Sequence, residues 1–214
     1  MASKTAFPDQ SACKRIGAAV RNRLESDPQI YKLPTDRAEI FALGDFLSAR
    51  ECARFVEMID KVARPSELHE TAYIEKFRTS YSGDVDPYDP FIIKLQRRID
   101  DLLGMDPTYG ETIQGQRYLP GQEFKPHCDY FNPGGQDWER YTSVAGQRTW
   151  TFMVYLNDVD AGGATRFKAV KKTFQPEAGK LVCWNNIRLD GTENPNTIHH
   201  GMKEVRISLS DYRR

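Results

Sequence analysis

The hydrophobic pattern changes its period halfway along the chain, and this switch constrains the fold more than any other feature of the sequence. In the first half, apolar residues recur every three to four positions over residues 11–27, 48–63 and 90–103. That spacing is typical of amphipathic helices, which bury one face and expose the other. Ser48 and Glu51 form a capping-box pattern at the start of the second segment, so we expect its helix to begin there.

From Glu111 onward, apolar and polar residues alternate instead, which indicates short β-strands. The alternation is clearest over residues 149–155, which are rich in β-branched and aromatic side chains. Further short strands are predicted at residues 39–46, 114–118, 165–167, 180–184, 197–201 and 205–212. Many short strands separated by glycine and proline are typical of a sandwich or a barrel such as a jelly roll. Residues 131–147 have little periodicity and are predicted to form a loop long enough to act as a mobile lid.

The two halves together predict an α+β protein with a mainly β core, organised as one structural domain. Residues 1–110 would supply helices that pack on one face of the core, and residues 111–214 would form the core itself. A chain of 214 residues can bury such a core without disulfide or metal staples. The helical segment is also a candidate surface for a homodimer.

Charge and composition exclude several classes of function. Lysine plus arginine and aspartate plus glutamate both number 30, so no basic excess favours nucleic acid or an anionic membrane as a partner. The longest apolar run, residues 152–156, is too short for a transmembrane helix, and residues 1–15 lack the apolar region of a signal peptide. The four cysteines are scattered without a CxxC spacing, which argues against a zinc site or a disulfide framework and predicts a cytoplasmic protein.

The strongest candidate for chemistry is the triplet His127-Cys128-Asp129. Residues two apart on a strand point to the same face, so His127 and Asp129 would project together. With a third imidazole from a distant strand, they would form the two-histidine, one-carboxylate set of non-heme Fe(II) oxygenases. A histidine and an aspartate at this spacing also arise often by chance in a solvated turn, so the triplet alone does not decide the function.

The surrounding sequence extends this motif in a recognisable order. RYLPGQEFKPHCD at 117–129 resembles the RYxxGQxYxxHxD strand pair of the prolyl 4-hydroxylase family of Fe(II)/2-oxoglutarate dioxygenases. QRTWTFMVYLN at 147–157, GGATRF at 162–167 and TIHHG at 197–201 are similar to later motifs of that family. The other matching segments are DFLSARECARF, RTS, FQPEAGKL and WN. The resemblance covers roughly residues 38–212 and implies a double-stranded β-helix, the jelly roll of this family.

The resemblance assigns the iron ligands residue by residue. His127 and Asp129 match the HxD motif, and His199 matches the distal histidine. His199 is preferred over His200 because the family places this ligand two residues before a glycine, here Gly201. These three residues would also be the catalytic set, because iron carries the chemistry.

The resemblance also implies the residues that contact 2-oxoglutarate, namely Tyr118, Tyr155, Thr151, Arg206 and Ser210. The chain departs from the family near its end, where a lysine or arginine is usual nine or ten residues after the distal histidine, because position 209 is Leu209. Arg206 fits that basic position if the preceding turn is shorter, with Ser210 as a helper. A guanidinium suits bidentate contact with a carboxylate. Lys203 is the alternative.

The residues at positions where family members contact their peptide are Arg148, Tyr212, Arg78 and Ser80. Arg148 is equally well interpreted as a structural ion-pair residue. The implied activity is hydroxylation of an unactivated C–H bond, foremost 4-hydroxylation of a prolyl residue in a peptide or protein, with decarboxylation of 2-oxoglutarate to succinate. The implied cofactors are Fe(II), with 2-oxoglutarate and O2 as co-substrates, and ascorbate as a further candidate.

Two other functions stay open from the sequence. The same scaffold could hydroxylate a free amino acid or another small molecule. The altered C-terminal pattern is also compatible with a degenerate, non-enzymatic jelly-roll binding module. The intact HxD and distal histidine argue against that degeneration.

Overall fold

The computed structural model describes residues 8–66, 77–133, 135 and 138–203. Four helices lie in this part of the chain: α1 (Gln10–Glu25), α2 (Ala49–Val62), α3 (Pro90–Leu103) and α4 (Trp138–Ala145). The strands are β1 (Tyr31–Lys32), β2 (Ile40–Leu43), β3 (Arg64–Pro65), β4 (Tyr81–Asp84), β5 (Gln114–Arg117), β6 (Phe124–His127), β7 (Trp150–Val154), β8 (Thr165–Phe167), β9 (Lys172–Phe174), β10 (Leu181–Asn185) and β11 (His199–Gly201). Single 3-10 turns occur at Pro107–Tyr109 and Pro195–Thr197.

Local sequence signals explain where the three long helices begin and end. The predicted capping box at the start of α2 is confirmed, because Ser48 accepts from the Glu51 backbone while the Glu51 carboxylate accepts from the Ser48 backbone. Helix α3 follows the N-cap Asp89 and ends at Gly104, whose φ of 66° is a left-handed conformation that glycine adopts without strain. The helices predicted over residues 11–27, 48–63 and 90–103 are thus confirmed.

The strands form two four-stranded sheets and one smaller sheet, and every described strand pair is antiparallel. The first sheet has the order β1-β2-β10-β7, the second β6-β11-β8-β9, and the third β3-β4-β5. Apolar side chains from the first two sheets meet in one buried cluster, which includes Val182 and Trp184 from β10 and Phe167 from β8. This two-sheet arrangement is the predicted double-stranded β-helix.

Helices α1, α2 and α3 pack on the outer face of the first sheet. Phe152 of β7 meets Phe46 edge to face at 5.3 Å, and Trp150 lies 5.9 Å from Phe41 of β2. These residues belong to a large apolar cluster that also holds the buried faces of α1, α2 and α3. Strand β2 comes from the N-terminal segment and pairs directly with β10, so this segment extends the sheet as well as covering it. The predicted boundary at residue 110 stays a prediction.

Two parts of the strand and loop assignment differ from the sequence expectations. The prediction of a loop throughout residues 131–147 is wrong, because residues 138–145 form helix α4. Trp138 is buried and Tyr141 stacks on Phe131 at 5.3 Å, so packing stabilises a segment whose own pattern is weak. The short strands β1, β3, β4 and β9 were not predicted from the sequence, because their residues show no alternation of apolar and polar side chains.

The strand predicted at residues 205–212 lies outside the described residues. Within the part of the chain that the structure describes, no helix is both long enough and apolar enough to span a membrane.

Candidate metal centre

Two histidines face each other across neighbouring strands. His127 is the last residue of β6 and His199 the first of β11, and the two are paired in the β6–β11 register. Asp129 follows two residues after β6, beyond the strand rather than on it. Its Oδ1 atom nevertheless lies 3.6 Å from His127 Nε2 and 3.8 Å from His199 Nε2. The three possible ligand atoms all lie within 4.8 Å of one another, so they could bind one ion.

Backbone carbonyls orient both imidazoles for metal binding. His127 Nδ1 lies 2.8 Å from the carbonyl oxygen of Lys125, and His199 Nδ1 lies 3.1 Å from that of Thr197. A carbonyl only accepts, so each Nδ1 must carry the proton and each Nε2 keeps its lone pair for a metal. Two imidazole nitrogens and one carboxylate oxygen are the donor set of non-heme Fe(II) sites, so these residues fit the predicted metal.

The charges of the three side chains also suit a divalent cation. Burial and, to a smaller extent, the neighbouring His199 lower the pKa of His127 to about 4, so His127 is neutral at pH 7. Burial opposes ionisation of Asp129, but His199, His127 and the Thr151 hydroxyl outweigh it and hold the pKa of this carboxyl below its usual range. Asp129 is therefore an anion at neutral pH and His127 a neutral ligand.

Aromatic rings surround the two imidazoles. Phe124 stacks on the His127 ring at 3.5 Å with an interplanar angle of 16°. Trp184 and Phe167 contact the His199 ring at 4.7 and 5.5 Å. His199 is buried, and only a small part of the Asp129 side chain reaches solvent. These contacts fix the imidazole orientations and limit the access of water.

The structure describes three of the predicted 2-oxoglutarate residues, and each donates its hydroxyl to another side chain. Tyr155 donates to Thr165 Oγ1 at 2.8 Å inside the barrel, and burial raises its pKa to about 12. Tyr118 donates to Gln116 Oε1 at 2.9 Å, and burial raises its pKa as well. Thr151 donates to Asp129 Oδ2 at 2.6 Å, so its hydroxyl contacts one of the predicted iron ligands.

Arg206 and Ser210, predicted to hold the far carboxylate of 2-oxoglutarate, lie outside the described residues, as does Tyr212. The alternative anchor, Lys203, places its Nζ 3.8 Å from Glu123 Oε1. His200 also contacts Glu123, with Nε2 3.0 Å from Oε2. His200 is therefore engaged away from the cluster, which supports the preference for His199.

The predicted substrate residues that the structure describes flank the aromatic shell. The Arg78 guanidinium lies over the Phe124 ring at 4.8 Å and donates from Nε to Ser80 Oγ at 3.1 Å. Arg148 forms a bidentate ion pair with Glu111, at 2.5 and 2.6 Å, and its guanidinium lies 4.4 Å from the centre of the Phe131 ring. The ion pair that was the alternative interpretation of Arg148 is thus present.

Sequence reasoning gave no role to Asn186 or to Trp184, although Trp184 lies in one of the matching motifs and both residues lie beside the site. Trp184 contacts a ligand ring, and Asn186 donates to Thr151 at 2.9 Å. Thr165 was also not singled out, although it is the T of the GGxTxF motif and that motif was a usable signal. No local pattern marks Asn186, because its partners lie on other strands.

Comparisons with known proteins agree with this geometry. The profile of the 2OG-Fe(II) oxygenase superfamily matches residues 113–214. Prolyl 4-hydroxylase subunit alpha-1 of Rattus norvegicus is 30% identical over 173 residues, which are 77% of this chain and 32% of that protein. Subunit alpha-3 of Homo sapiens is 31% identical over 162 residues, 73% of this chain and 29% of that protein. The chain therefore spans about a third of the length of the curated relatives it matches.

A solved structure shares the fold. The viral collagen prolyl hydroxylase of Paramecium Bursaria Chlorella virus-1, in its 2OG complex, superposes with a TM-score of 0.58 at 24% identity, over 77% of this chain and 89% of that one. Family profile, relatives, fold and the His-Asp-His cluster all agree. Residues 113–214 match the 2OG-Fe(II) oxygenase superfamily, and about three quarters of the chain is similar to the prolyl 4-hydroxylase alpha subunits.

Proposed function

We propose that this chain hydroxylates an unactivated C–H bond of a prolyl residue in a peptide or protein. The observation that carries the proposal is the convergence of His127, Asp129 and His199, whose surroundings favour a neutral imidazole at His127 and an anionic carboxylate at Asp129. In the balanced reaction, the substrate C–H, 2-oxoglutarate and O2 give the C–OH product, succinate and CO2. The relatives named prolyl 4-hydroxylase support proline as the target.

The iron would be held by His127 Nε2, His199 Nε2 and Asp129 Oδ1. When bound, it supplies the activation of O2 that is coupled to decarboxylation of 2-oxoglutarate. The chain contributes ligand geometry, since three protein ligands leave three coordination positions for the co-substrates. The Phe124, Phe167 and Trp184 rings restrict water around these positions, which protects the reactive centre from side reactions.

The far carboxylate of 2-oxoglutarate would be bound by Arg206, with Ser210 as a helper. Tyr155 would contact the same carboxylate from between the two sheets. Its hydroxyl is held in place there by the hydrogen bond to Thr165. Tyr118 would contact the co-substrate nearer the cluster. A peptide would lie beside Arg78 and Ser80 on one side and Arg148 on the other, with Tyr212 as a further contact.

The experiment that tests the co-substrate site is an anaerobic absorbance titration of the metal-free protein with Fe(II) and then 2-oxoglutarate. A visible charge-transfer band would show that 2-oxoglutarate chelates the bound iron. If iron binds and no band appears, the chain does not use 2-oxoglutarate and the proposal fails. Arg206→Ala should raise the KM for 2-oxoglutarate at least tenfold, about 1.4 kcal/mol, and Lys203→Ala should leave it unchanged. The reverse result would assign the carboxylate anchor to Lys203.

The substrate is tested by succinate release. Proline-containing peptides should stimulate turnover of 2-oxoglutarate, and free proline should not. Stimulation by free amino acids alone would assign the activity to small molecules instead. Mass spectrometry of the peptide should then show a gain of one oxygen on proline.

A further inference from the structure

The two oxygens of Asp129 have different partners. Oδ1 lies 3.6 and 3.8 Å from the two histidine Nε2 atoms, whereas Oδ2 accepts the Thr151 hydroxyl at 2.6 Å. Only one carboxylate oxygen therefore faces the imidazoles. The other is occupied by a hydrogen bond from β7.

A second hydrogen bond fixes the direction of the Thr151 proton. Asn186 Nδ2 lies 2.9 Å from Thr151 Oγ1. An ionised carboxylate can only accept, so the single hydroxyl proton must go to Asp129, and the hydroxyl oxygen is left to accept from its other neighbour. Only the NH2 group of an asparagine can donate there. The direction of the hydrogen bonds from Asn186 to Thr151 and from Thr151 to Asp129 thus follows from the chemistry of the three groups.

Asn186 is itself held from both sides. Its side chain and backbone are almost fully buried, with 1% exposure. Its backbone N–H donates to the Thr149 carbonyl at 2.7 Å, which ties it to the start of β7. Its carbonyl accepts from the Asn194 N–H at 3.0 Å, which ties it to the segment before His199.

The same connection continues to the distal histidine. The Asn194 carbonyl accepts from the Thr197 hydroxyl at 2.7 Å, and the Thr197 carbonyl faces His199 Nδ1 at 3.1 Å. Asn186 therefore stands at a branch point. Its side chain leads through Thr151 to Asp129, and its backbone leads through Asn194 and Thr197 to His199.

We propose that Thr151 and Asn186 are positioning residues that restrict Asp129 to binding iron through Oδ1 alone and hold it in fixed relation to His199. This inference rests on the proposed metal site but not on the proposed substrate. A carboxylate that bound through both oxygens would occupy a position that 2-oxoglutarate or O2 requires. Because Thr151 holds Oδ2, that position stays open.

The test uses Thr151→Val, which keeps the shape and removes the hydroxyl, with Thr151→Ser as the matched control. Affinity for Fe(II) is measured by anaerobic titration of the metal-free protein, and the Co(II) absorption spectrum reports the coordination number. Loss of a group that orients a ligand typically weakens metal binding 10–100-fold, so we expect a loss of roughly that size for Thr151→Val. Thr151→Ser should stay within about threefold of the wild type, since it keeps the hydroxyl donor.

Asn186→Asp provides a second variant that does not alter Thr151. The new carboxylate would accept the hydrogen bond of the Thr151 hydroxyl, so Asp129 would lose its donor. Metal affinity should then fall and the Co(II) spectrum should change. Circular dichroism and Tm establish that each variant is folded. If Thr151→Val fails to fold, Asn186→Asp alone decides.

Two outcomes would overturn the inference. One is wild-type metal affinity and an unchanged Co(II) spectrum in both Thr151→Val and Asn186→Asp. The other is a Thr151→Val protein that loses affinity for 2-oxoglutarate alone, which would make Thr151 a direct co-substrate contact. If the wild-type chain binds no metal, the proposed function itself fails, and the two failures are thereby distinguished.

Discussion

The two faces of strand β7 carry different kinds of chemistry within five residues. On the outer face, Trp150, Phe152 and Val154 pack against the helical cluster. On the inner face, Thr151 donates to Asp129, and Met153 packs in the closed core between the sheets. The outer face stabilises the fold by burying apolar surface, and many different apolar side chains can do this. The inner face depends on single atoms at fixed distances.

This difference predicts that stability and metal binding separate by face. Changes on the outer face should lower the free energy of unfolding and leave the metal affinity of the folded protein unchanged. Changes on the inner face should lower the metal affinity and leave the free energy of unfolding nearly unchanged.

The largest effect is expected from Asp129→Asn, because Asp129 accepts the hydrogen bond from Thr151 on the inner face of β7. The substitution keeps the shape of the side chain but removes the anionic ligand, so turnover of 2-oxoglutarate should fall at least about 1,000-fold. Succinate release measures this loss. Asp60→Asn, which removes an exposed partner of Arg117, is the matched control and should keep nearly full activity. Activity within tenfold of the wild type in Asp129→Asn would contradict the assigned ligand set.

The next effect is expected on the outer face from Phe41→Ala. Phe41 is fully buried and contacts Trp150, so its truncation should cost about 3–5 kcal/mol of unfolding free energy. Urea unfolding followed by circular dichroism measures the loss. Phe41→Leu, which keeps much of the volume, should cost less. A large fall in Fe(II) affinity of the folded Phe41→Ala protein would break the separation of the two faces.

A pH effect is expected at the metal-free site. Burial lowers the pKa of His127 to about 4, whereas an unfolded histidine titrates near pH 6.5. Below pH 6.5 the unfolded chain binds a proton that the folded chain does not, so stability is full above pH 6.5 and falls as the pH drops toward 4. The loss reaches roughly 3 kcal/mol at most. Urea unfolding in a chelator at pH 7 and pH 5 measures it, and His127→Gln should flatten this dependence.

The smallest effect is expected at the capping box of α2. Ser48→Ala removes the hydroxyl that accepts from the Glu51 backbone, so unfolding should become easier by about 1 kcal/mol. Ser48→Asn retains an acceptor and should recover most of that loss. Metal affinity should not change in either variant, because α2 lies on the outer face. Differential scanning calorimetry and the Fe(II) titration provide the two readouts.

Elements with strong local signals were predictable from the sequence. The capping box at Ser48 acts within one helical turn, so the residues of that turn were sufficient to predict the start of α2. Strand β7 was also predictable, because the alternation of its side chains can be seen in a few consecutive residues. Strand β4 was not readable, because its sequence YSGD becomes a strand only through pairing with β3 and β5.

The candidate metal centre shows the same division. The identity of the histidines and of Asp129 followed from motifs, but the sequence argument placed Asp129 on the strand, and the chain has already left β6 at that point. Thr151 was predicted as a co-substrate contact, and its hydrogen bond to Asp129 joins residues 22 positions apart. Asn186, which directly follows β10, donates to Thr151 of β7 across 35 positions. Contacts of this range depend on sheet order, which no local pattern contains.

The pairing of His127 with His199 has a consequence for the lifetime of the protein. The two histidines lie on adjacent strands of the second sheet but are 72 residues apart in sequence. A bound ion would therefore link two segments that are distant along the chain. A ligand that binds only the folded chain adds about 2.7 kcal/mol of stability when its free concentration is 100 times its Kd. The supply of free metal thus becomes part of the folding equilibrium. A chain starved of iron would open this sheet more often and meet proteases sooner than its loaded counterpart.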